Sequence, residues 1–257
     1  MLLNKALFTD GKPHPSLIQL FSILDIAHEG TFASMVDQGQ RYLLRSKDVE
    51  RWQLDKSSWE NKKSAIIKLL SELGFITAVE PKPGIYDYAV IFGFVTIDVQ
   101  LQRDFLIDMI KKQSIEIKQL IILTSALPLP TELYPDLTFG TTERQMMQTV
   151  FNHPALHHIQ QQIIEVPMQE VNRIQKRPTT DDTVIAWRTI NPNPGRCLAV
   201  SAQPFIRRQT KILQTLMPDS FTIIPCGMAI DDQEPLIFYL DELARALYQE
   251  QIYNWIQ

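Results

Sequence analysis

The sequence predicts an α/β fold of three layers, a mostly parallel five-stranded sheet with helices on both faces. Short apolar runs at residues 88–92, 120–123, 162–166, 197–200 and 221–225 have the length and composition of strands buried on both sides. Segments with apolar residues three and four apart lie between them. Each would be a helical crossover, the connection that parallel pairing needs. At 257 residues, 45% of them apolar, the chain can build such a domain and a smaller extension. Together these features define a Rossmann-like domain over residues 84–257, preceded by a helical N-terminal extension over residues 1–80.

The extension opens with a helix that Ser16 can cap, its inward face made by Leu17, Leu20, Phe21 and Leu24. Gly30 suits its end, and Thr31 suits the start of a short second helix. Residues 48–54 read as a third. The clearest helix starts at Ser57, where Ser57-x-x-Glu60 has the form of a capping box. Trp59, Ala65, Ile66, Leu69, Leu70 and Leu73 form its apolar stripe, Gly74 fits just past its end, and Lys62, Lys63 and Lys68 lie on the solvated side. Three helices, a strand at 75–79, the Pro-Lys-Pro-Gly turn at 81–84 and a strand at 88–92 would make a winged helix, a DNA-binding arrangement. Against it, the last helix sets only three lysines against Glu60 and Glu72, and the strand at 88–92 is better placed in the sheet. Beyond the turn, helices are expected at 99–112, with Leu101, Phe105 and Ile110 inward, and at 142–151, 180–190, 205–217 and 234–256.

Composition excludes several function classes. A net charge of −4 argues against nucleic-acid binding through a broadly basic surface. The two cysteines, Cys197 and Cys226, lie in or beside apolar runs with no CxxC or Cys/His cluster, which points to buried thiols in a reducing compartment and to no metal site. His157 and His158 lack acidic or cysteine partners at ligand spacing. There is no GxSxG nucleophile elbow and no GxGxxG dinucleotide fingerprint. The first residues lack the apolar core of a signal peptide, and no window approaches the roughly 20 apolar residues of a membrane span. A cytoplasmic protein without a membrane partner is the expectation.

In an open parallel sheet, ligands bind beyond the carboxyl ends of the strands. That rule selects candidate residues. Gly93 ends the first strand, where it serves either a turn or a ligand. Thr124 and Ser125 end the second, where their hydroxyls can bond a ligand or the loop's own backbone. Glu143 opens the next helix, favourable for the helix dipole and also for a site. After the third strand come Arg173, Lys176 and Arg177, then Pro178, then Thr179, Thr180, Asp181 and Asp182, which read both as a helix cap and as a ligand edge. The fourth strand brings Ser201 and Gln203, followed by Arg207 and Arg208 at a helix start. Adjacent arginines oppose the dipole there, whereas an anion would be held by free amides and guanidinium groups together. On this reading Arg207 and Arg208 hold an anion, while Thr179, Thr180 and Ser201 donate hydrogen bonds. Asp182 and Glu143 bind ribose hydroxyls or act in acid/base chemistry.

The order of these features resembles the bacterial SanA/ElyC/YdcF family, in particular its YdcF-like branch, from about Tyr86 onward. The resemblance rests on Ile91-Phe92-Gly93 at the first strand end, Arg103 in the next helix, and Glu143 leading a later one. It rests further on Thr180-Asp181-Asp182-Thr183 and, best, on Gln203-Pro204-Phe205-Ile206-Arg207-Arg208 with Gln-Thr after it. Thr124-Ser125-Ala126 stands where the family has a Ser-Gly-Gly turn. The resemblance implies a Rossmann-like domain that binds S-adenosylmethionine or a nucleotide at this edge, with no reaction assigned. The alternative is a non-enzymatic interaction protein whose edge is filled by side chains, because the glycines that would admit a ligand to the backbone are replaced.

Overall fold

The computed structural model describes residues 6–46, 58–93, 96–112, 115–130, 140–171, 174–230 and 234–254. The chain divides into two compact units, residues 1–79 with 203–211 and 229–257, and residues 80–202 with 212–228. The division at residues 79 and 80 falls beside the turn expected as a boundary, but the C-terminal helix goes with the N-terminal helices and not with the sheet.

In the first unit a two-residue hairpin, β1 (Phe8–Thr9) with β2 (Lys12–Pro13), leads into α1 (Pro15–Ile23). His14 caps α1, its Nδ1 accepting from Ser16 N at 3.2 Å. Ser16 is one position inside the helix and donates from Oγ to Glu72 Oε2 at 2.7 Å. Thr31 caps α2 (Phe32–Tyr42) as expected, with Gly30 before it at φ +73°. A 3-10 turn, Glu60–Lys62, precedes α3 (Lys63–Glu72). Ser57 and the helix expected at 48–54 lie outside the described residues; Glu60 accepts a hydrogen bond from Leu236 N at 2.7 Å. The final helix, α8 (Leu236–Asn254), packs on α2. Leu17, Leu20 and Phe21 of α1, Met35 of α2, Leu70 of α3 and Leu240, Leu243 and Leu247 of α8 are fully buried in one apolar core.

The second unit contains the sheet. Its strands are β3 (Gly84–Phe92), β4 (Ile115–Ser125), β5 (Gln160–Val166), β8 (Arg196–Ala202) and β9 (Thr222–Met228), in spatial order β5-β4-β3-β8-β9, all parallel. This is the expected Rossmann-like sheet. Its strands are longer than their apolar cores because the polar residues at their amino ends also pair: Asp87 lies in β3 and Lys118 in β4. Pro225 is tolerated in β9 because β9 is an edge strand. The winged-helix arrangement is overturned by the same topology. The run at 88–92 is paired on both sides in the middle of the sheet, and of the strand expected at 75–79 residues 75–77 are bends and only Val79 makes a β-bridge.

Alternation along the strands sends Ala89 and Ile91 of β3, Leu120 and Ile122 of β4, and Leu198 and Val200 of β8 to one face. There they share a core with α4 (Thr96–Lys112) and α5 (Glu143–Phe151). On α4 Val99, Leu106, Ile107 and Met109 are buried and Phe105 and Ile110 pack against the same core as expected, while Leu101 is exposed. On the other face Tyr88 meets Trp187 of α6 (Thr180–Thr189), ring centroids 5.4 Å apart, and both pack on Phe221. Cys197 and Cys226 are buried free thiols, and burial pushes their pKa values up, that of Cys226 to about 12. A short antiparallel hairpin, β6 (Gln169–Val171) with β7 (Ile174–Lys176), stands outside the sheet just before α6. The remaining helix, α7 (Ile206–Leu216), follows β8. Among the described residues no helix is long and apolar enough to cross a membrane.

Candidate functional site at the carboxyl edge

The strand order reverses between β3 and β8: β4 and β5 extend to one side of β3, β8 and β9 to the other. Beside this switch point, a small cavity of about 50 Å³ lies at the carboxyl ends of β3 and β4. Phe92 lines it from β3 and Gly93 from just beyond that strand, Leu123, Thr124 and Ser125 from β4, and Glu143 from the start of α5. Arg177, Pro178, Thr179, Thr180 and Thr183 line it from the approach to α6 and its first turn. Six of the residues expected at the edge, Gly93, Thr124, Ser125, Glu143, Thr179 and Thr180, are therefore brought together.

Glu143 is the centre of this group. It follows the N-cap Thr142, whose side chain accepts from Gln145 N, and is only 6% exposed. Its position suits the helix dipole, yet its carboxylate also reaches back to the end of β4. Oε2 accepts from Ser125 N at 2.7 Å, from Ser125 Oγ at 2.5 Å and, more weakly, from Thr124 Oγ1 at 3.4 Å. Ser125 Oγ in turn accepts from Leu127 N at 3.3 Å. The other oxygen, Oε1, lies between two cavity-lining residues, Gly93 and Arg177. Arg177 Nη2 is 4.0 Å from Oε1. A Cβ on Gly93 would fall 2.7 Å from Glu143 Cδ and closer still to Oε1. Gly93 is thus required here by the carboxylate of Glu143.

Thr179 and Asp182 form a complete capping box on α6. Asp182 Oδ2 accepts from Thr179 N at 2.7 Å and from Thr179 Oγ1 at 2.8 Å, and Asp182 N donates to Thr179 Oγ1 at 3.3 Å. Asp182 does not line the cavity, and its carboxylate serves the cap. Ser201 is buried in β8 and is also outside the cavity lining.

The remaining three residues belong to the first unit. Gln203 donates from Nε2 to Gly74 O at 3.1 Å and to Thr77 O at 2.8 Å. Arg207 pairs with Glu250 at 3.1 Å, donates to Leu73 O at 3.3 Å and lies over the Phe75 ring. Burial lowers the Arg207 pKa and raises that of Glu250, each effect opposed by the attraction between the two. Arg208 pairs with Glu242 at 2.5 Å. The adjacent arginines that looked like an anion site are instead neutralised by carboxylates of α8, which is why a basic pair at a helix start is tolerated. Arg103, the helix arginine of the resemblance, bonds Asp104 and the Val150 carbonyl.

Arg177, noted at this edge from the sequence but assigned no role there, is the residue the structure adds to the cavity. Its signal was a basic residue directly before a Pro-Thr cap at a strand's carboxyl end. Among the described residues no group of three or more His, Cys, Asp or Glu side chains could hold a metal ion. The fold and this edge define a Rossmann-like α/β protein with an acid–base-lined cavity at the carboxyl ends of β3 and β4. In comparisons with known proteins, no family model, no curated protein and no solved structure matches the chain.

Proposed function

We propose that this protein binds a small, nucleotide-like ligand that carries both a hydrogen-bond donor and an anionic group, S-adenosylmethionine being one such molecule, at the carboxyl edge of its sheet. The observation that carries this reading is the polarity of Glu143. One carboxylate oxygen is fixed by Ser125, while the other lies between Gly93 and Arg177. A ribose hydroxyl or an amino group supplies a donor for Oε1, and Arg177 supplies a guanidinium fork for phosphate or carboxylate. Thr180 adds a hydroxyl at the same wall. Arg207 and Arg208 have no part in the proposal, because their guanidinium groups are engaged by Glu250 and Glu242. Kinship with YdcF-like proteins remains part of the same proposal. It is supported by the parallel Rossmann-like sheet and by Gly93 and Glu143 meeting at its edge.

Isothermal titration of AMP, adenosine and S-adenosylmethionine into the wild-type protein and a Glu143→Gln variant tests the proposal. Saturable binding of at least one compound, weakened at least tenfold by the substitution, is expected. No binding by any of the three overturns it.

The size of the cavity favours a second reading, an interaction protein with a filled edge. About 50 Å³ is well below the roughly 300–1,000 Å³ of small-molecule sites. In that reading Glu143 is a structural plug, and the titrations give no heat with any of the three compounds.

A further inference from the structure

We infer that the side chain of Arg177 is a ligand-displaced latch: it covers Glu143 in the free protein and transfers to the anionic group of the incoming ligand. This inference rests on the nucleotide-like reading of the site given above. Three observations carry it. Arg177 and Glu143 form an asymmetric pair, with side chains 46% and 7% exposed at a separation of 4.0 Å. Glu143 is anchored through Oε2 to Ser125 and cannot follow the arginine outward, whereas among the described residues Glu143 is the only ion-pair partner recorded for Arg177. The backbone beyond Arg177 is fixed, since Pro178 is buried and Thr179 is locked in its capping box. The moving part is therefore a single side chain.

This arrangement also accounts for the small cavity. A volume of about 50 Å³ admits the hydroxyl-bearing edge of a ligand and not a whole nucleotide. When the guanidinium swings away, Glu143 Oε1 is opened to that hydroxyl, and the ligand's anionic group stays at the mouth, on Arg177. A half-exposed ion pair at 4.0 Å is weak and is displaced at little cost. The fork that replaces it on a phosphate is bidentate and charge-assisted.

The test compares adenosine, which brings the donor alone, with AMP, which brings donor and anion, in wild type, Arg177→Met and Arg177→Lys. Removing the latch has opposite effects on the two. Arg177→Met binds AMP at least about tenfold more weakly but adenosine about two- to fivefold more tightly, the range expected for deleting a weak ion pair. Arg177→Lys, charged but without the fork, falls between wild type and Met for AMP. Adenosine affinity that is unchanged or weakened in Arg177→Met overturns the latch while leaving the proposed site standing. If wild type binds neither compound, and S-adenosylmethionine fails as well, the site and the latch fall together. An unchanged melting temperature of the half-exposed variants confirms that folding does not cause the difference.

Discussion

At the scale of single residues, the edge is organised by one close approach. Gly93 gives up a side chain so that the Glu143 carboxylate can lie against the end of β3 while Oε2 takes the Ser125 amide. Gly93→Ala would push the carboxylate away and leave a buried N–H short of its acceptor. The expected cost is about 1–3 kcal/mol, the penalty for an unsatisfied buried donor. Urea unfolding of the single variants and of the Gly93→Ala/Glu143→Ala pair isolates the cause. The alanine at 93 is expected to cost much less once the carboxylate is gone, and an equal cost in both backgrounds would show that Glu143 is not the obstacle. The sequence made Gly93, Ser125 and Glu143 legible one by one, because the carboxyl-edge rule selects strand ends and helix starts. That Gly93 accommodates a glutamate was not legible, since the partner is fifty positions away. The same limit misdirected the reading of Arg207 and Arg208. Their unfavourable place at a helix start is visible locally, but Glu250 and Glu242 lie 43 and 34 positions away and meet them only through folding.

At the scale of elements, the five central strands were legible because a strand buried on both faces is written as a continuous apolar run. Their amino ends were not, because the residues there are polar and look like loop. Asp87 shows what those ends do. Its Oδ1 accepts from Lys118 of β4 at 2.8 Å, and its Oδ2 accepts from the backbone amide of Arg196 in β8 at 2.8 Å. One carboxylate thus ties three neighbouring strands at their amino edge, and Gly195 leaves room for it. The hydrogen bond from Lys118, then that from Arg196, holds the Asp87 carboxyl below its ordinary value of 3.8. A lowered folded-state pKa means that the stability contribution is complete above the unfolded value, about 3.9, and is lost as pH falls through the folded one. As pH falls from about 5 through the folded-state value, wild type is therefore expected to lose more stability than Asp87→Asn. Parallel declines in the urea midpoints over that range would rule out Asp87 as a contributor. The side chain is a third exposed, so solvent screening limits the size of the effect. The β6–β7 hairpin was not legible either, since Gln169–Val171 and Ile174–Lys176 are mostly polar and carry no Asn-Gly or Asp-Gly turn signal.

At the scale of the whole molecule, fold class and chain division part company. Periodicity alone identifies an α/β sheet, but it cannot say which core an amphipathic helix joins. α8 follows the last strand, and from sequence it reads as the closing helix of the sheet domain. Its buried residues instead share a core with α1, α2 and α3. The chain passes between the two units at residues 79/80, 202/203, 211/212 and 228/229, so neither unit is a continuous segment. This gives a prediction opposite to the one a simple N-terminal extension would make. If residues 1–79 were an appendage, a chain beginning at residue 80 would fold. In the structure, removing them strips the partners from Leu236, Tyr239, Leu240, Leu243 and Leu247, all fully buried. Each large apolar side chain returned to water costs about 1.5–3 kcal/mol, and five of them together match the roughly 5–15 kcal/mol by which a domain is usually stable. A chain of residues 80–257 is expected to aggregate or to expose apolar surface that binds a hydrophobic dye. Co-expressing residues 1–79 with it is expected to restore a compact species by rebuilding the helical core in trans. A monomeric 80–257 fragment with a cooperative thermal transition and no dye binding would mean that α8 does not depend on the N-terminal helices.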